Sequence, residues 1–220
     1  MPEIRLFTGW DEREAAGLHT FVQSVLEYAS CPVSFTPLSS QLLQVADRNV
    51  GSNRFTWARL AIPRLCGYQG GAIFMDGADM LCRADLAALE ALRDPKKAVQ
   101  VVKHAYQTKN PRKYRGTSME SPNLDYERKQ WASVMLINCW HLAWKGASDD
   151  LDSLQLRFIP DELIGELPIE WNWLADEHGQ NRDAHILHFT AGIPAFPQHA
   201  DAPHADEWFV TWERAMRATG

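Results

Sequence analysis

One feature of this sequence constrains the fold more than any other: four consecutive apolar residues, 72–75, run directly into Asp76 and then Asp79. An unbroken apolar run of this length indicates a strand buried on both faces, as in a parallel sheet covered by helices. Further strands are predicted at residues 4–8, 32–38, 98–102, 134–138 and 184–189. Apolar residues recur at helical spacing between the first two strands, so the chain opens with a βαβ unit and an α/β fold is expected.

The length of the chain indicates its domain organisation. At 220 residues it has the size of one ordinary domain, and we predict a single domain over residues 1–220. Residues 105–130 are polar and basic, and we predict that they form a long active-site loop. Residues 194–220 are predicted to form a C-terminal tail and helix, and further helices are predicted at residues 55–65 and 85–89.

Composition and charge disfavour several function classes. Hydrophobic residues make up 45% of the chain and charged residues 23%, as in globular proteins, and the net charge of −6 disfavours a grip on nucleic-acid phosphates. No apolar stretch is long enough to span a membrane and no signal peptide precedes the first predicted strand, so we expect a cytoplasmic protein. The four cysteines lack metal-site spacing, and the dinucleotide-binding, P-loop and α/β-hydrolase motifs are absent.

The acidic pair after the buried strand is the main candidate site. Ligands of open α/β sheets bind beyond the carboxyl ends of the strands, where Asp76 and Asp79 are predicted to lie. Two buried carboxylates need a compensating cation, and their hard oxygen atoms suit Mg²⁺ or Mn²⁺. An Asx turn followed by a helix cap would use the same residues without a metal. His188, at the end of the last predicted strand, is either a third ligand or a core histidine.

Other candidate residues allow a functional and a structural interpretation. Thr8, Gly9 and Trp10 could frame a nucleotide base or form a plain turn after the first strand. Arg13 and Arg59 could bind phosphate or form ordinary ion pairs. The basic residues of the predicted loop could be an anion-attracting lid or a solvated face, and these are Lys109, Arg112, Lys113 and Arg115. The segment 170–173 mixes tryptophan with polar groups, as sugar sites do, or forms the edge of a core.

Several stretches together resemble a known family. A helix of the pattern F-x-x-x-R-L-x-I-P-x-L-x-x-Y-x-G precedes the strand that ends in the two aspartates, and the last strand continues as H-F-x-x-G. The matching stretches are residues 7–15, 55–70, 72–80, 101–104, 113–117, 134–138 and 188–192. They resemble GT-A-fold glycosyltransferases, in particular the group of glycogenin and the bacterial lipopolysaccharide galactosyltransferases, in a bacterial or phage-type branch. The resemblance runs from Ile4 to about Trp208.

The resemblance implies a fold, a reaction and roles for residues. The fold would be a GT-A (Rossmann-like), mostly parallel central sheet flanked by helices. The reaction would move a hexosyl or pentosyl group from a nucleotide sugar, usually UDP-linked, to an acceptor hydroxyl of a glycan, small molecule or modified base. Mn²⁺ or Mg²⁺ would be held by Asp79, Asp76 and His188, with Asp76 also near the ribose. The implied donor-nucleotide contacts are Thr8, Gly9, Trp10, Arg13, Arg59, Asp76, Lys103 and Gly192.

The acceptor side and the catalytic groups are less closely defined. Ser133, Trp171 and Asn172 are candidates to contact the sugar or acceptor, and Glu170, Asp176 and Glu177 are candidate catalytic residues. The chain departs from the family pattern in three places: the acidic motif is D-x-x-D rather than D-x-D, residues 193–195 offer no lysine for phosphate, and residues 131–133 replace the usual Asn-Ser-Gly. A catalytically inactive nucleotide-sugar-binding module and a Mg²⁺-dependent nucleotidyltransferase therefore remain as alternatives.

Overall fold

The computed structural model describes residues 3–41, 43, 53–148 and 151–217. The described strands are β1 (Ile4–Gly9), β2 (Val33–Leu38), β3 (Gly71–Met75), β4 (Met80–Cys82), β5 (Val99–Val101), β6 (Arg112–Lys113), β7 (Ser121–Pro122), β8 (Val134–Asn138), β9 (Ile164–Glu166), β10 (Trp173–Leu174) and β11 (Ile186–His188). The described helices are α1 (Ala15–Tyr28), α2 (Ile62–Leu65), α3 (Leu86–Glu90), α4 (Leu151–Leu154), α5 (Ala175–His178) and α6 (Ala205–Met216).

A six-stranded sheet with the order β2-β1-β3-β8-β5-β9 forms the centre of the protein. β1 pairs in parallel with β2 and β3, and β5 pairs in parallel with β9. β8 lies between β3 and β5 and is antiparallel to both. Within the described residues three of the five strand pairs of this sheet are parallel, which confirms the predicted α/β fold with a mostly parallel central sheet.

A second, smaller sheet with the order β10-β11-β4 brings distant parts of the chain together. β4 starts directly after Asp79 and pairs with β11 in an antiparallel register that sets Met80 opposite His188. The backbone N–H of Phe189 also donates to the carbonyl of Asp79, with 2.8 Å between the atoms. This register places Asp79 and His188, which are 109 residues apart in sequence, next to each other.

Helices cover both faces of the main sheet. α1 begins after a 3₁₀ turn capped by Asp11 and buries Leu18, Phe21 and Val25 in a core that includes β1, β3 and β4. A second core lies around Phe55 and contains residues from β5 and β8. α6 contacts α1, and its Trp208 is fully buried. None of the described helices has the length and apolar character that a membrane crossing requires.

Most predicted elements are confirmed, and one is partly wrong. The helix predicted at residues 55–65 is a turn followed by a 3₁₀ segment, Ala58–Ala61, and only four α-helical residues, Ile62–Leu65. Pro63 lacks an amide hydrogen and fits only the first turn of an α-helix, so it starts the helix here instead of continuing one. The predicted terminal helix is α6, and residues 218–220 lie outside the described residues.

The segment 105–130 is irregular except for a hairpin whose two strands, β6 and β7, have two residues each. Tyr114 follows this hairpin strand in a left-handed conformation, with φ of 53°, and its N–H donates to the carbonyl of Ala191 at 2.5 Å. This hydrogen bond anchors the segment beside the loop that follows β11. The long polar segment thus lies against the end of the sheet where the acidic pair is found.

Candidate functional site

The inserted residue of the acidic motif is accommodated by a tight turn at Gly77. Asp76 continues from β3, and its N–H donates to the carbonyl of Ser133 at 2.9 Å. Gly77 has φ of +75°, and a Cβ atom added there would lie 3.0 Å from Cβ of Thr8. Met80 N–H closes the turn by donating to the carbonyl of Gly77 at 3.0 Å. A glycine is favoured here because the backbone is left-handed and an added Cβ atom would contact Thr8 tightly.

Three side chains converge at this turn. Ligand atoms of Asp76, Asp79 and His188 all lie within 4.8 Å of one another, and all three residues are buried. The structure therefore brings together the residues that the sequence suggested as metal ligands. It also shows why they meet: two flank the turn between β3 and β4, and the third comes from β11, which pairs with β4.

Arg59 compensates one of the two buried carboxylates. Its Nη2 atom lies 2.9 Å from Oδ1 of Asp76, and its other nitrogens donate to the carbonyls of Thr56 and Ala132. Burial raises the pKa of Asp76 to about 6, although the Arg59 charge opposes the rise. The guanidinium lies 4.8 Å from the centroid of the Phe74 ring, so its position is fixed by packing as well as by charge.

Asp79 faces His188. Oδ2 of Asp79 lies 3.3 Å from Nε2 of His188, and the other ring nitrogen, Nδ1, lies 2.9 Å from Oδ1 of Asn172. Burial would raise the pKa of Asp79, but the charge and hydrogen bond of His188, together with the charge of Lys113, outweigh burial, and the pKa is lowered. Asp79 is therefore held as a carboxylate.

The residues present fit a divalent metal. Oδ1 of Asp79 is buried and has no hydrogen-bond partner among the described residues, which is costly for a carboxylate oxygen unless a cation or water reaches it. Two carboxylates with one imidazole are a suitable donor set for Mn²⁺, and carboxylates also suit Mg²⁺.

A cavity of about 440 Å³ opens beside the acidic pair and His188. Arg59 and Lys113 line it, as do residues that the sequence did not suggest: Asn53, Thr56, Tyr114, Tyr126 and Gln130. Most of the latter come from the irregular segment 105–130, which shows no periodic pattern. Tyr114 and Gln130 have positive φ values, a conformation without a sequence signature in residues other than glycine and asparagine.

Glu14 is a further buried residue that the sequence did not suggest. It is 1% exposed, its Oε2 accepts from Asn53 Nδ2 at 3.3 Å, and its Oε1 has no hydrogen-bond partner among the described residues. Burial, followed by the charges of Asp79 and Asp11, raises the pKa of Glu14 well above its usual value. Glu14 therefore lies behind the cavity wall, next to Asn53.

The residues predicted to frame a base lie apart from this cavity. Thr8 is buried beneath Gly77, and Gly9 N–H donates to the carbonyl of Asp76 at 3.1 Å. Trp10 instead borders a separate cleft of about 660 Å³ that also contains residues of α1 and Ala215. Thr8 and Gly9 thus support the acidic turn from behind, and a base-binding role for the three residues stays a prediction.

The remaining predicted donor contacts are engaged elsewhere. Arg13 forms an ion pair with Asp11 at the cap before α1. Lys103 lies 5.6 Å from the centroid of the Trp131 ring. Gly192 lies below the ring of His199, and an added Cβ atom would meet that ring at 2.8 Å. None of these three predicted residues is among those that line the 440 Å³ cavity.

The three candidate catalytic acids do not line the cavity either. Glu177 is buried and accepts from the hydroxyl of Thr108 at 2.8 Å and from the N–H of Lys109 at 2.7 Å, so it anchors the long segment. Asp176 accepts from the N–H of Ala191 at 3.1 Å, and burial raises its pKa to about 6. Glu170 is half-buried. The catalytic role of these acids stays a prediction.

The candidate acceptor residues fall into two groups. Trp171 is buried in a core, with its ring 4.7 Å from that of His185. Ser133 lines the cavity, and Asn172, which is fully buried, contacts both Ser133 and His188. Ser133 and Asn172 thus belong to the surroundings of the acidic pair.

Comparison with known proteins places the chain in a family. Protein CDI of Arabidopsis thaliana is 32% identical over 231 residues, which cover 96% of this chain and 86% of that protein. This chain belongs to the family of Protein CDI. The name of that relative describes no reaction. No protein-family model matches the chain.

Solved structures of other proteins identify the fold of this chain. The galactosyltransferase LgtC, solved with donor and acceptor sugar analogs, matches with a TM-score of 0.64 and 14% identity over 98% of both chains. The bifunctional glycosyltransferase WbbM matches with a TM-score of 0.68 and 15% identity over 96% of this chain, which spans 49% of that one. GlyE of Streptococcus pneumoniae matches with a TM-score of 0.60, 14% identity and coverage of 97% of this chain and 63% of that one. The predicted GT-A glycosyltransferase fold is confirmed.

Proposed function

We propose that this protein is a metal-dependent glycosyltransferase that moves a sugar from a nucleotide donor, UDP-linked by preference, to an acceptor hydroxyl. The observation that carries the proposal is the buried Asp76–Asp79–His188 group, which lies beside an open cavity within a glycosyltransferase fold. The cavity has a volume of about 440 Å³, within the range of small-molecule sites.

The acidic pair suits the charge that develops in such a reaction. When the bond to the sugar breaks, negative charge builds up on the departing diphosphate, and a bound Mn²⁺ or Mg²⁺ supplies Lewis-acid stabilisation of that charge. Asp79 and His188 would hold the ion, with Asp76 as a further ligand. Because Arg59 already balances Asp76, the acid pair keeps a net charge near −1 before any ligand binds, which attracts a dication.

Lys113 brings a positive charge to the cavity, near the acidic pair. Lys113 lines the cavity and forms no salt bridge with any described residue. It is close enough to Asp79, Asp76 and Glu14 for the charges of these carboxylates to favour its ammonium form. Burial lowers the pKa of Lys113, and these carboxylates oppose the decrease. We propose that Lys113 contacts the donor diphosphate, in place of the lysine that residues 193–195 lack.

The segment 105–130 is proposed as the active-site loop, because it contributes Lys113, Tyr114 and Tyr126 to the cavity. Tyr126 and Leu124 are exposed and offer apolar faces on which a base or sugar ring can stack. The acceptor hydroxyl would attack from this cavity.

A donor screen tests the proposal. The purified protein is incubated with a panel of nucleotide sugars and Mn²⁺ or Mg²⁺, and release of the nucleoside diphosphate is measured, since slow transfer to water needs no known acceptor. We expect release with a UDP-sugar, dependence on the metal, and loss in Asp79→Ala. Asp85→Ala, which removes a partly exposed helix cap outside the cavity, is the matched control and should remain active.

Two outcomes would contradict the proposal. Release of pyrophosphate from nucleoside triphosphates, without release of UDP, would favour a nucleotidyltransferase. Binding of a UDP-sugar without any turnover across the panel would favour an inactive binding module.

A further inference from the structure

A chain of hydrogen bonds runs from a backbone carbonyl to the imidazole of His188. The hydroxyl of Ser133 donates to the carbonyl of Gln130 at 2.7 Å. Asn172 Nδ2 lies 2.8 Å from Oγ of Ser133 and 3.4 Å from the same carbonyl. Asn172 Oδ1 lies 2.9 Å from Nδ1 of His188. The direction in which each group donates is therefore set by the group before it.

The carbonyl at one end fixes the direction of the whole chain. A carbonyl can only accept, so the single proton of the Ser133 hydroxyl is directed to Gln130, and Oγ must accept from Asn172. The amide of Asn172 then presents its NH₂ group to Ser133 and its Oδ1 to His188. Nδ1 of His188 consequently carries a proton that it donates to Asn172, which leaves Nε2, facing Asp79, as the ring nitrogen that can exchange its proton for a metal.

The reverse orientation of the Asn172 amide places two acceptor oxygens side by side and is incompatible with a metal on Nε2. Its Oδ1 would then face the carbonyl of Gln130 at 3.4 Å, and the one proton of Ser133 could not serve both oxygens. Asn172 is 0% exposed, and Ser133 and His188 are 1% exposed, so bulk water is excluded from the mismatch. The carbonyl of Gln130 would keep the N–H of Ser133 at 3.3 Å, but an amide NH₂ group facing Nδ1 would require the ring proton on Nε2, where no lone pair would remain for a metal. Only the first orientation therefore suits a metal-binding His188.

We propose that Asn172 is a positioning residue that, together with Ser133 and the Gln130 carbonyl, holds His188 in the Nδ1–H tautomer with Nε2 ready to bind the metal. This inference rests on the proposed metal site. It gives Asn172 and Ser133 a role toward His188 instead of direct contact with an acceptor. Partners behind a metal-binding histidine typically change metal affinity by about ten- to a hundredfold when they are removed.

The test measures Mn²⁺ affinity directly: the concentration of free Mn²⁺ is determined by electron paramagnetic resonance in the presence of UDP. Asn172→Ala should bind Mn²⁺ about ten- to a hundredfold more weakly than the original protein. Asn172→Asp keeps an acceptor beside Nδ1 but loses the donor to Ser133, so it should lose less affinity than Asn172→Ala. The matched control is Asn138→Ala: Asn138 is also buried, and it donates to the carbonyls of Asp94 and Lys97 rather than toward His188.

The two proposals fail in different ways. If the original protein binds no Mn²⁺ with UDP, the metal site itself is refuted. If it binds Mn²⁺ and Asn172→Ala binds equally well, or if Asn138→Ala weakens binding as much, the positioning role is refuted.

A measurement without any variant covers the case in which Asn172→Ala does not fold. Long-range ¹H–¹⁵N spectra of the protein with Mg²⁺ and UDP should show the proton of the His188 ring on Nδ1. A proton on Nε2 would overturn the inference.

Discussion

Replacement of Arg59 by methionine tests how the buried acidic pair is balanced. The Arg59 and Asp76 side chains are 9% and 11% exposed, so Arg59→Met leaves a carboxylate with little access to water. Removing one partner of a buried ion pair typically costs about 3–5 kcal/mol of folding stability. The carbonyls of Thr56 and Ala132 lose their donor in the same variant, so we expect a value in the upper half of that range above pH 7.

The cost should depend on pH. The pKa of Asp76 is already raised to about 6 with Arg59 present, and loss of the guanidinium raises it further. At pH 5 the carboxyl group is largely protonated, so the destabilisation should be smaller there than at pH 8. The double variant Arg59→Met, Asp76→Asn should lose less stability at pH 8 than Arg59→Met alone.

The assay is urea unfolding of the metal-free protein at pH 5 and pH 8, followed by the fluorescence of its nine tryptophans. Arg93→Met is the matched control: Arg93 also donates to backbone carbonyls, but its ion-pair partner Glu90 is 35% exposed and can be hydrated. We expect no comparable difference between the two pH values in that control. An equal cost of Arg59→Met at both pH values, or no recovery in the double variant, would refute the reasoning.

Three further predictions follow from the same site. The pKa of Asp76 is about 6 in the folded protein, against 3.8 in the unfolded chain. As pH rises through this window, ionisation of Asp76 therefore lowers the unfolding free energy of the metal-free protein by about 3 kcal/mol. Asp76→Asn should remove this decrease in urea unfolding. Gly77→Ala should cost about 1–2 kcal/mol in the same assay and weaken Mn²⁺ binding, whereas Gly67→Ala, also at positive φ but with open space around it, should leave Mn²⁺ binding unchanged. Lys113→Gln should weaken UDP binding in calorimetry by about ten- to a hundredfold and leave uridine binding unchanged, and equal effects on the two ligands would contradict the proposed phosphate contact.

Five of the six strands of the main sheet were predictable because their patterns are local, whereas the edge strand β9 was not predicted. The apolar run at residues 72–75 is buried on both faces in β3, and the helical spacing after Asp11 gave α1. The position of β8 was not predictable from its own residues, since an apolar run has the same appearance in a parallel and in an antiparallel strand. The 3₁₀ turn before α2 was missed because helical periodicity extends over both segments.

The acidic pair and His188 were suggested because the pair follows β3 and His188 ends a strand, but they meet through the pairing of β4 with β11 in the smaller sheet, which the sequence did not predict. The cavity wall was not predictable, because Asn53, Tyr114 and Tyr126 lie in irregular segments whose contacts are set by tertiary structure. Trp10 was expected at a base, but a 3₁₀ turn follows it directly, and its ring borders the cleft beside α1. The sequence pattern did not predict that the chain would turn in this way.

The most direct test of the metal site is an anomalous diffraction map from a crystal grown with Mn²⁺ and UDP, with data collected at the manganese absorption edge. The account predicts one peak at coordinating distance from Asp79 and from Nε2 of His188, with the diphosphate of UDP bound to the same ion and Lys113 in contact with it. A bound nucleotide without a manganese peak at these side chains, or a peak only elsewhere on the protein, would contradict the account.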